Sequence, residues 1–211
     1  MNYWLRWTAV CGLGEFLGIG VAAGIGFGVV MTLGEPDTLG EKLFVILTAI
    51  VSGIIEGLVT GWLQWWVLRE KFAAVKAKDW LFYTALGAAT GWILGMTPPT
   101  FLMGQDGAAT PVPEFSSALI ALLAAGAGLV LGALFGFFQW LELRKHTVHA
   151  ARWIPANAIA WAIGLAIIYL GASMPTAETA LAMVILIGTV SGLLAGLSVG
   201  AITGLFLIKL E

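Results

Sequence analysis

The chain has 211 residues, 60% of them hydrophobic and only 10% charged, against about 25% charged residues in an ordinary soluble domain. Its formal net charge is −2, so no basic excess exists to neutralise phosphates, and a nucleic-acid partner is excluded. The single cysteine, Cys11, cannot close an internal disulfide and reads as a small packing residue.

A helix needs about 20 apolar residues to cross a hydrocarbon core of roughly 30 Å. In chain order such runs lie near Trp4 to Leu33, Leu43 to Leu68, Trp80 to Met96, Phe115 to Leu143, Trp153 to Leu170 and Leu181 to Ile208. The expected fold is therefore an all-α polytopic membrane domain over 1–211 with six transmembrane helices. The first run is too long for a secretory signal, carries Glu15 and is followed by no small-residue cleavage site, which marks a retained helix.

Orientation follows from the basic residues. Arg6 precedes the first run; Arg69, Lys71, Lys76 and Lys78 lie between the second and third; Arg144, Lys145 and Arg152 between the fourth and fifth; Lys209 ends the sixth. Lys42 alone falls on the other side, among the acidic, proline-bearing segments "GEPDTLGEK", "TPPTFLMGQDGAATPVPEF" and "GASMPTAETA". The positive-inside rule then places both termini in the cytoplasm. Trp7, Trp80 and Trp153, each beside a charged residue, are expected to anchor that interface as an aromatic belt, together with Arg69 and Arg144.

Those three tryptophans are spaced by 73 residues and by 73 again. In that register Gly14 aligns with Gly87 and Ala160, and Gly18 with Gly91 and Gly164. The even-numbered runs repeat as well. "VSGIIEGLVTGWLQWWVLRE" from 51 matches "VSGLLAGLSVGAITGLFLIKLE" from 190, and Gly128, Gly132 and Gly136 match Gly53, Gly57 and Gly61. The chain thus reads as three tandem helical hairpins of about 1–72, 73–145 and 146–211. All three begin on one side, which implies a pseudo-threefold axis along the membrane normal.

Glycines four apart dominate the helices: Gly20, Gly24 and Gly28 in the first, Gly188, Gly192, Gly196, Gly200 and Gly204 in the sixth. In lipid, helices associate through close backbone approach, which small residues permit. Each four-residue step turns the stripe by roughly 40° at 3.6 residues per turn. The sixth helix, with the longest series, is expected to be the most enclosed by protein.

The recurring "QWWVLRE" and "QWLELRKHTVHAARWIPANAIAWAIG", with four-spaced glycines upstream, resemble small polytopic bacterial membrane proteins of uncharacterised function, cyanobacterial ones among them. The resemblance implies a bacterial inner, plasma or thylakoid membrane and carries no activity to transfer. Physically, Gln64 and Gln139 lie five residues inside Arg69 and Arg144, about 7 Å along a helix, where an amide can bond a neighbouring helix while the arginines reach headgroups. The third copy has Thr203 for the glutamine and Ile208 for the arginine.

Two acids stand inside the spans. Glu56 is 13 residues before Arg69 and Glu15 eight after Trp7, depths of about 20 Å and 12 Å. The equivalent positions hold Leu131 and Ala195, and Ala88 and Trp161, so the repeat does not need an acid there for packing. A charged carboxylate at mid-helix costs at least about 2.5 kcal/mol, and a neutral acid is the cheaper state. One reading makes both acids interhelical glue, donating to a backbone carbonyl or to Thr60, Ser52 or Gln64. The other makes Glu15, Glu56 and Gln64 a proton or cation site.

His146 and His149 lie in a basic loop without cysteine or further carboxylates, a poor zinc site, and no histidine lies inside a span to ligate haem. No metal, cofactor or catalytic residue is expected, and Asn157 is expected to satisfy itself within its own helix. An aromatic pocket around Trp62, Trp65, Trp66 and Trp92 is a further candidate. The functional expectation is a non-enzymatic packing or accessory subunit, or self-associating glycine-zipper bundle, whose partners are the bilayer and a homo-oligomer or larger membrane complex. The alternative is a small proton or cation transporter or channel using Glu15 and Glu56.

Overall fold

The computed structural model describes residues 2–102, 115–176 and 178–210, apart from the side chains of Ala23 and Val30. Within them the regular structure is helical: α1 (Tyr3–Leu33), α2 (Leu39–Leu68), α3 (Ala77–Leu102), α4 (Ser117–Leu143), α5 (Trp153–Ala172) and α6 (Leu181–Leu207), with a short 3-10 turn, Ala150–Arg152, leading into α5. The chain is all-α, and five of the six helices are long and apolar enough to cross a bilayer. The expected third span is the exception. At 26 residues α3 covers about 39 Å, but Lys78, Asp79, Thr84, Thr90, Thr97 and Thr100 dilute its apolar character. It also runs past Met96 through Pro98 and Pro99, where a loop is expected; neither proline has an N–H, so the carbonyls of Leu94 and Gly95, one turn back, lose their helix donors. Residues 103–114 of that expected loop lie outside the described residues.

Local chemistry sets several ends. Gly34, at φ 67°, follows the last residue of α1 in the left-handed conformation that glycine takes without steric cost. Thr38 caps α2 through a capping box with Glu41, and the Ser116 hydroxyl accepts from the Leu119 amide at the start of α4. Arg69 and Arg144 occupy the C-caps of α2 and α4. Their guanidinium groups lie over indoles: Arg69 at 4.9 Å from Trp65 and 4.3 Å from Trp66, Arg144 at 4.9 Å from Trp140.

Each helix packs on its neighbours in the chain, and α6 packs on α1, closing the row into a ring. Glycine seams form three of the ring contacts. Gly53, Gly57 and Gly61 of α2 face α3; a Cβ on Gly57 would stand 2.5 Å from Ala85 Cα. Gly128, Gly132 and Gly136 of α4 lie on the α5 backbone at Trp161, Asn157 and Ile154. Gly196, Gly200 and Gly204 of α6 lie against Glu15, Thr8 and Trp4 of α1.

The α6 series does not continue as a seam. Gly192 meets only the Ile19 side chain, 3.3 Å from where its Cβ would lie, and Gly188 has nothing within 4 Å. The turning of the stripe explains this: from Gly204 to Gly188 it accumulates roughly 160°, which carries Gly188 off the α1 face. Gly20, Gly24 and Gly28 of α1 are likewise open. Nor is α6 the most enclosed helix. Of its most apolar 18 residues 22% are buried, against 33% for α2 and α5.

The expected belt tryptophans are instead the centre of the core. Trp7, Trp80 and Trp153 are at most 1% exposed. Trp153 meets Trp7 edge to face at 5.9 Å and lies 6.4 Å from Trp80. Leu68, Leu143 and Leu207, from the last turns of the even helices, complete the cluster with Val67, Val75, Ala150 and Leu210. Two of the indoles are tied inward by polar partners, Trp7 Nε1 donating to Thr203 Oγ1 and Trp153 Nε1 to Gln139 Oε1, each at 2.9 Å. Trp62 and Trp66, about half exposed, are the indoles that face outward at this end.

Candidate functional site

One helical turn inside the tryptophan cluster lies a buried polar layer. Gln139 Nε2 donates to Gln64 Oε1 and to Thr84 Oγ1, both at 3.1 Å. Gln64 Nε2 in turn points at Cys11 Sγ, 3.7 Å away. All four side chains are buried. Trp80 Nε1, which by position would pair with Gln64 as Trp153 does with Gln139, has no hydrogen-bond partner among the described residues.

This layer borders a cavity of ≈ 20 Å³. Its walls include Cys11, Thr84 and Asn157, 73 residues apart on the odd helices, and Gln64, Gln139 and Thr203 from the even ones. Thr60, Phe135 and Val199 form a second set from the even helices, and Glu15, Trp161 and Trp153 complete the wall. Chemistry is distributed unevenly among them. In one part Trp161 stacks on Phe135 at 5.2 Å with ring planes 12° apart; at the position of Trp161, α1 carries the Glu15 carboxyl instead.

Glu15 and Glu56 are both buried, at 5% and 7% exposure. They do not share surroundings. Glu15 lies on Gly196 of α6 and faces the cavity, and its Oε2 has no partner among the described residues. Glu56 is outside the cavity wall, packed on Gly18 of α1, and its Oε2 accepts from Trp92 Nε1 at 2.7 Å. That partner differs from those expected from sequence. Ser52 donates to the Thr48 carbonyl, Gln64 is engaged in the amide layer and Thr60 Oγ1 has no partner among the described residues. Asn157 Nδ2 donates to the Trp153 carbonyl one turn back.

Of the aromatic candidates, Trp62 and Trp65 meet at 5.6 Å, but Trp65 donates to the Val75 carbonyl, Trp92 donates to Glu56, and Trp62 and Trp66 are about half exposed. A wider, open depression of ≈ 710 Å³ lies at the basic end, lined by Lys71, Phe72, Arg144, Lys145, His146 and their neighbours. Beside it the buried Glu142 carboxylate takes Lys145 Nζ at 2.6 Å and His146 Nε2 at 3.0 Å. The hydrogen bond to Glu142 holds the Lys145 ammonium above its ordinary range. Among the described residues no group of three or more His, Cys, Asp or Glu side chains is placed to hold a metal ion.

Of the residues singled out from sequence, the structure brings Glu15 and Gln64 to one cavity and leaves Glu56 in a separate contact. Gln139, expected with Gln64 to bond a neighbouring helix, joins it across α4 and α2, and Cys11, Thr84, Trp153 and Trp92 extend the polar interior. The sequence signal for most of them was present in the 73-residue register, which aligns Cys11 with Thr84 and Asn157. Comparison of the chain with family models, curated proteins and solved structures gives no match.

Proposed function

We propose that the protein is a non-enzymatic integral membrane bundle that works by packing against other transmembrane helices, a second copy of itself first among them. The observation that carries this reading is the open glycine surface of α1 and α6: Gly20, Gly24, Gly28 and Gly188 have nothing within 4 Å, whereas the glycines nearer the basic end of the same helices are all covered. Glycines turned to acyl chains offer little contact area, while a second helix can approach them closely. In this reading α3 is also a span, the three hairpins α1–α2, α3–α4 and α5–α6 surround a pseudo-threefold axis, and both termini lie in the cytoplasm. The repeated positions that line the central cavity support the threefold arrangement, and the gathering of basic residues at one end supports the orientation.

The test is mass photometry in nanodiscs. The wild type should form dimers that Gly24→Leu converts to monomers, while Gly126→Leu, at another open glycine, leaves them intact. A wild type that is monomeric at every protein-to-lipid ratio ends the reading.

A second reading, proton or cation transport through Glu15, Glu56 and Gln64, draws on the unpaired Glu15 oxygen at the cavity. It requires passage past the packed Trp7, Trp80 and Trp153. Ion flux into liposomes that Glu15→Gln leaves unchanged would dispose of it.

A further inference from the structure

Two buried polar atoms on the central cavity have no partner among the described residues, Glu15 Oε2 and Thr60 Oγ1. Their side chains are 95% and 93% enclosed, being 5% and 7% exposed, so bulk solvent does not serve them. Thr60 differs here from the other two threonines on the wall. Thr84 and Thr203 donate to the carbonyls of Trp80 and Val199, one turn back, at 2.8 and 2.7 Å. Thr60 has the same option on α2 and does not take it; its hydroxyl is turned to α1, 3.0 Å from where a Cβ on Gly14 would stand.

The remaining chemistry of the wall limits what can satisfy both groups. Gln139 Nε2 is fully engaged with Gln64 and Thr84 and Trp153 Nε1 with Gln139, while Gln64 Nε2 and Asn157 Nδ2 each spend one of two N–H groups, on the Cys11 sulfur and the Trp153 carbonyl. What remains is oxygen lone pairs together with one amide N–H each on Gln64 and Asn157, a mixture that calls for a small molecule able both to donate and to accept. Holding one water takes roughly 10–15 Å³ of such space and two to four polar partners. The cavity, at ≈ 20 Å³, has room for one water.

We propose that the cavity is a binding site for a single water molecule held between the Glu15 carboxyl and the Thr60 hydroxyl. The Thr60 hydroxyl donates to the water, which donates to Glu15 Oε2 and to an amide oxygen of the wall. Both unpaired atoms are then satisfied, and Thr60 gains a reason to forgo its helix carbonyl. Glu56, tied to Trp92 outside the wall, has no place in this site. The assignment does not depend on helix docking at α1 and α6.

The test is a high-resolution density map of the wild type in nanodiscs, paired with infrared spectra recorded in ordinary and ¹⁸O-labelled water. The expected result is one density peak within hydrogen-bond distance of Glu15 Oε2 and Thr60 Oγ1, and one isotope-sensitive O–H band. Thr60→Val should abolish that band and Thr60→Ser retain it. A wild-type map without the peak overturns the proposal whether or not the variants fold. So does a thermal stability raised by sodium chloride but not by choline chloride at equal ionic strength and insensitive to salt in Glu15→Gln, because the occupant would then be a cation.

Discussion

Gln139 Nε2 donates to Gln64 Oε1 at 3.1 Å, joining α4 to α2 across the middle of the bundle. The two glutamines are not equivalent in what they support. Gln139 also accepts from Trp153 and donates to Thr84, whereas Gln64 otherwise reaches only the Cys11 sulfur. Gln139→Leu leaves buried groups on three sides unpaired, at about 1–3 kcal/mol each. It should therefore lower the unfolding free energy in mixed micelles well below that of Gln64→Leu. Equal losses would mean that the layer does not act as drawn.

The three core tryptophans should respond unequally to phenylalanine. Trp153→Phe strands Gln139 Oε1 and Trp7→Phe removes a bond to Thr203, but Trp80 Nε1 has no partner to lose. Trp80→Phe should thus be the mildest of the three in thermal unfolding, limited to its change in volume.

Glycines that look alike in sequence should behave in opposite ways. A Cβ on Gly132 would run into the Asn157 carbonyl, and one on Gly57 would lie 2.5 Å from Ala85 Cα. Both neighbours are backbone atoms that cannot step aside. Alanine at either position should cost more than about 1–3 kcal/mol, the usual overpacking range, or prevent folding. Gly95→Ala has open space and should gain up to about 1 kcal/mol from helix propensity. Expression and melting temperature of the three variants would order them.

Glu56 tests whether a carboxyl or merely an acceptor is needed. Glu56→Gln keeps an oxygen for Trp92 Nε1 and should hold stability within about 1 kcal/mol. Glu56→Leu leaves the indole N–H unpaired and should lose about 1–3 kcal/mol, with an altered Trp92 fluorescence. Indistinguishable variants would remove the bond from the account.

The helices were legible from hydropathy because a bilayer demands long apolar runs, and their starts and ends lie close to the expected ones except at α3, which runs on from Met96 to Leu102. The exceptions have physical causes. Trp7, Trp80 and Trp153 sit at interface depth in an apolar sequence, where a lipid-facing and a core-facing indole look the same; what draws two of them inward is a partner on another helix. Glu15 and Glu56 were both conspicuous as intramembrane acids, but which one faces the cavity depends on the rotation of α1 and α2 about their axes. Periodicity does not supply that rotation. The Trp92 partner of Glu56 lies 36 residues away, on a helix whose facing side is selected by Gly53 and Gly57. The glycine stripes revealed which helices could approach closely, and not where along their length they part.

The seam that closes the ring joins the first helix to the last. Thr8, Cys11 and Glu15 of α1 are covered by Gly196 and Gly200 of α6, and Trp7 bonds Thr203, at separations of nearly the whole chain. As the polypeptide is synthesised, this face of α1 must wait through four intervening helices before its cover exists. Glu15 therefore stays uncovered and the Trp7 N–H unpaired until α6 arrives. A ribosome stalled before α6 would leave an open bundle with Glu15 uncovered.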